Sequence, residues 1–67
     1  MKFTQLDAQM IKRYLLRQYK IDLAWMDIFY MKTCEKAAET LLRDYGHVVF
    51  GTLTREQLQQ ELEEVIS

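Results

Sequence analysis

Ile21-Asp22-Leu23-Ala24-Trp25-Met26-Asp27-Ile28-Phe29-Tyr30-Met31 is apolar almost all round a helical projection. The chain around it has 67 residues, of which 49% are hydrophobic. A domain of that size keeps much of its surface wet, so a stretch this apolar is expected to meet a cover. A second protein surface is the expected cover. Trp25, Met26, Ile28 and Phe29, with Asp27 among them, are the candidate protein-binding residues. Tryptophan and phenylalanine bury large rigid areas, and methionine adapts to an irregular partner.

The rest of the chain frames that stretch as part of one small all-α domain spanning residues 1–67. It has no proline and only two glycines, Gly46 and Gly51, with charged residues spread throughout. This composition suits packed helices and not disorder. The formal net charge of −1 argues against a protein held to nucleic acid by its overall field. A lone Cys34 excludes an internal disulfide and fits a reducing compartment. Residues 1–5 lack the apolar core of a secretion signal, and no run approaches the roughly 18 apolar residues of a membrane span. A cytoplasmic location is the expectation.

Three helices are expected, with a long second one as the spine. Thr4 followed by Asp7 resembles a capping box that starts the first helix, which runs to about Lys20. Leu6, Met10, Ile11, Tyr14, Leu15 and Tyr19 cover one broad side, while Lys12, Arg13, Arg17 and Lys20 make the other basic. Asp22 is the expected cap of the second helix, and Gly46 its terminator after Tyr45. Along its C-terminal half Cys34, Ala37, Ala38, Leu41, Leu42 and Tyr45 form a single stripe, with the alanines small enough to admit a close neighbour. Thr54 with Gln57 reads as a second capping box, and Leu53 with Leu58 has hydrophobic-staple spacing. A third helix therefore starts at Arg55, with Leu58, Leu62 and Val65 as a narrow stripe and Ile66 at its margin. Between the glycines, His47-Val48-Val49-Phe50 is β-prone and reads as a packed connector or a short extended segment.

The wheel of the second helix does not hold phase from end to end. Leu23, Tyr30 and Met31 stay near the stripe, but Trp25, Ile28 and Phe29 turn toward the side that later carries Lys32, Lys36 and Arg43. Asp27 lands within the stripe. Either the helix carries a second apolar face for a partner, or it breaks near Asp27, which then caps a new start. The absence of proline and glycine favours the unbroken helix. Asp27 is read as a specificity contact in an interface, as the partner of a basic or tyrosine side chain of the first helix, or as exposed near a helix start.

Chemistry is sparse. Cys34 sits in an apolar stripe, as a small buried hydrophobe does, and His47 follows a helix-ending glycine, where it can serve the last carbonyls. No catalytic constellation is formed. One histidine and one cysteine do not make a metal site, and no glycine-rich phosphate loop is present, so no cofactor is expected. Charge segregates along the chain: residues 1–22 hold five basic and two acidic side chains, and residues 47–67 one basic and four acidic. The last helix is expected to lie on the first, with Glu61 or Glu64 near Arg13 or Arg17.

The function that follows is non-enzymatic: a protein interaction or regulatory module using the apolar patch of the second helix, with a homodimer as the natural form. The alternative is a small nucleic-acid-binding regulator, using Lys12, Arg13, Arg17 and Lys20 against phosphates.

Overall fold

The computed structural model describes every residue from Met1 to Ser67. It contains four helices and no strand: α1 (Gln5–Tyr19), α2 (Trp25–Phe29), α3 (Cys34–Phe50) and α4 (Arg55–Ile66). The all-α class is as the composition indicates. The long unbroken second helix is not: residues 22–45 are divided between α2 and α3 by a turn at Tyr30–Thr33. The reason lies in the backbone. Lys32 takes a positive φ of 79°, which turns the chain, and Thr33 then starts α3 by accepting the Lys36 N–H at 3.1 Å.

Both expected capping boxes are present. Asp7 N–H donates to Thr4 Oγ1 at 3.1 Å, and Thr4 N–H donates back to Asp7 Oδ2 at 3.0 Å. Thr54 and Gln57 repeat the exchange at 3.1 and 2.9 Å. Asp22, however, does not cap α2. Ala24 holds that position without a side-chain bond, and Asp22 instead accepts from Lys12 Nζ at 3.1 Å.

Gly46 does interrupt its helix, with φ 53° and ψ −142°, a conformation open essentially to glycine alone. The chain then resumes for one more turn. Residues 47–50 are therefore helical and not extended, and Gly51 ends the element. That extra turn swings Phe50 back into the core, where its ring lies 4.8 Å from Tyr19.

The core is one cluster. α1 contributes Ala8, Ile11 and Leu15, α2 contributes Ile28, α3 contributes Cys34, Ala37, Ala38 and Leu41, and α4 contributes Leu58 and Leu62. On α1 the buried stripe is narrower than the broad side expected, since Leu6 is exposed and Met10, Tyr14 and Tyr19 are only half-buried. α2 packs on α1, α1 on α4, and α4 on α3. The N-terminal segment closes the structure: Phe3 is buried, and its N–H donates to Lys32 O at 2.6 Å. No helix is long and apolar enough to cross a membrane.

Candidate functional site

The turn at residues 30–33 decides what becomes of the apolar stretch. By ending α2 after five residues, it lets the segment fold flat onto α1. Ile28 is 0% exposed, so it belongs to the core and is not available to a partner. Trp25 and Phe29 are half-buried against that core. Met26 and Tyr30 remain outside, 50% and 66% exposed. They lie one turn apart, joined by the Tyr30 N–H to Met26 O bond at 3.0 Å, and so stand side by side.

Tyr30 of this outer pair joins the half-buried rings of Phe29 and Trp25. Trp25 meets Phe29 edge-on with centroids 6.1 Å apart, and Phe29 meets Tyr30 at 5.4 Å. Edge-to-face rings at such distances hold one another in orientation. The exposed edge of α2 thus carries a strip made of Met26 and Tyr30, while Ile28 of the same helix is buried. Asp27 is exposed in the first turn of α2, where a carboxylate suits the positive end of the helix. Its carboxylate has no ion-pair partner, which leaves it free beside the strip.

The basic residues of α1 are not equivalent. Lys12 is engaged within the chain, donating to Asp22 Oδ1 at 3.1 Å and to Leu23 O at 2.7 Å. It ties α1 to the strand of chain that leads into α2. Lys20 sits at the left-handed residue that ends α1, with φ 60°. Arg13 and Arg17 are exposed and make neither hydrogen bond nor ion pair. The expected pairing with Glu61 or Glu64 is absent, because Glu61 is otherwise occupied. Its Oε1 accepts Tyr14 Oη at 2.7 Å and Tyr19 Oη at 2.6 Å, a cross-link between α1 and α4. Burial, then the hydrogen bond to Glu61, pushes the Tyr14 hydroxyl up to about 12, and the same causes raise Tyr19. A half-buried tyrosine needs an acceptor for its hydroxyl; that need was the available signal for this cluster.

Cys34 and His47 stand at opposite ends of α3, about 20 Å apart along its axis. His47 Nδ1 lies 2.7 Å from Gly51 O, so the imidazole serves the end of its own helix. Cys34 is buried at the floor of an open concavity of about 450 Å³ that Asp7, Glu35 and Glu63 help to line. Burial, with Glu63 and Asp7 nearby, pushes its thiol up to about 11, which keeps it protonated and unreactive at neutral pH. No group of three or more acidic, histidine or cysteine side chains is placed to hold a metal ion.

No protein-family model, curated protein or solved structure matches the chain.

Proposed function

We propose that this protein is a non-enzymatic, cytoplasmic interaction module that self-associates through the exposed edge of α2. The observation that carries this reading is the pairing of Met26 and Tyr30 outside a helix whose inner residue, Ile28, is locked in the core. A preorganised apolar strip loses little conformational freedom when it is covered. Tyrosine and methionine are enriched in such contacts, and a tyrosine hydroxyl can stay wet at the rim. Asp27 sits at the edge of the strip, where it fixes register without having to be buried. A two-fold dimer places the same strip on both partners, doubling the apolar area contributed by one short helix. The protonated thiol and the remote imidazole offer no pair for nucleophilic catalysis, which favours binding over chemistry.

Trp25 is the only tryptophan and borders the strip, so its emission reports the contact. On dilution from high to low micromolar concentration, the emission of the wild-type protein is expected to shift red as the strip is re-exposed. Met26→Ser with Tyr30→Ser should abolish the concentration dependence while leaving the helical circular dichroism intact. An emission spectrum independent of concentration in the wild type refutes self-association by this face.

A further inference from the structure

A second surface lies away from α2. Met10, Arg13, Tyr14 and Arg17 of α1 and Val65 of α4 line a shallow groove of about 300 Å³ between the two helices. Met10, Tyr14 and Val65 give it an apolar part. Its α1 rim carries two guanidinium groups one turn apart, and neither has a partner in the chain. Like charges at that spacing repel one another. Two carboxylates lie near it without lining it: Glu61 accepts both tyrosine hydroxyls, and Glu64 is close enough to raise the Tyr14 hydroxyl.

We propose that this groove docks an acidic, amphipathic segment of a partner protein, its carboxylates on Arg13 and Arg17 and its apolar side chains on Met10, Tyr14 and Val65. Charge complementarity selects this occupant. Arginine forks bind carboxylates in a two-point geometry, and the apolar part rewards a segment that alternates acidic with aliphatic residues. A nucleic acid fits worse. It has no aliphatic side chains to set on Met10, Tyr14 and Val65, and two phosphate contacts supply little affinity. The tyrosine–Glu61 cross-link keeps α1 and α4 in register, so the groove exists before anything enters it.

The test is fluorescence anisotropy with a labelled synthetic peptide that alternates glutamate with leucine, against the full chain. Binding is expected at low salt and should weaken as salt shortens the screening length from about 30 Å to 3 Å. Arg13→Gln with Arg17→Gln should weaken it by about tenfold or more. Lys32→Gln with Lys36→Gln, an equal loss of charge on another face, should leave it unchanged, as should Met26→Ser with Tyr30→Ser. This last control separates the groove from the α2 strip, so either surface can fail without the other. Three results overturn the proposal: no peptide binding at about 1 mM, equal weakening by both double charge variants, or tighter binding of a labelled DNA oligonucleotide than of the peptide.

Discussion

Glu61 is the residue on which the α1–α4 contact turns. One carboxylate oxygen accepts both tyrosine hydroxyls, and hydrogen bonds to a charged acceptor contribute more than neutral ones. Tyr14→Phe or Tyr19→Phe is expected to cost about 1–2 kcal/mol in chemical denaturation. The cluster also sets an alkaline limit. An unfolded phenol loses its proton near 10.0, whereas Tyr14 in the fold holds its proton up to about 12. The stability this supplies is complete below pH 10 and disappears as the pH rises toward 12. The double phenylalanine variant should therefore show a flatter decline of stability across that window; an identical decline would show that the cluster does not set it. Backbone residues make a second pair of predictions. Gly46→Ala should destabilise by about 1–3 kcal/mol although nothing lies within 4 Å of the added methyl, since the cost is conformational. Lys32→Gly should do the reverse, raising stability by up to about 1 kcal/mol because φ 79° favours glycine.

At the scale of elements, what was local in sequence was readable and what depended on a turn without markers was not. Thr4 with Asp7 and Thr54 with Gln57 announce their helices because a capping box is closed within four residues. The stripe Cys34-Ala37-Ala38-Leu41 likewise declares its own period. The division between α2 and α3 was hidden, because Lys32 adopts a left-handed conformation with no glycine to signal it. The phase error of Trp25, Ile28 and Phe29 was the true trace of that division. Of the two readings, a second apolar face or a break, the break is the one found, though at residues 30–33 and not at Asp27. Asp27 is not the cap of the new start; Thr33, six residues on, is. Residues 47–50 were β-prone by composition, yet the neighbouring glycines accommodate one helical turn that buries Phe50. Of the candidate residues, Met26 and Asp27 are exposed, Trp25 and Phe29 half-buried, and Ile28 buried. Ile28→Ala should cost about 2–5 kcal/mol, the price of a core cavity. A smaller loss, near that of an exposed residue, would contradict the packing of α2 on α1.

The whole molecule has no unusual amount of surface. Its accessible area of 4579 Å² is close to the roughly 4,500 Å² expected for a folded monomer of this mass. The radius of gyration, 10.5 Å, is also that of a self-contained domain, for which about 11 Å is expected. The turn at 30–33 thus goes far toward covering what the sequence seemed unable to cover. What sets this surface apart is the placing of its apolar and charged groups, a Met26–Tyr30 strip on α2 and an unpaired arginine pair on α1. The strip is the part on which the proposed association stands. Sedimentation equilibrium of the wild type and of Met26→Ser with Tyr30→Ser tests it most directly. A reversible dimer in the micromolar range is expected for the wild type, and a monomer of unchanged helical content for the variant. A wild type that stays strictly monomeric at high micromolar concentration, or a variant that dimerises as well as its parent, would contradict association through α2.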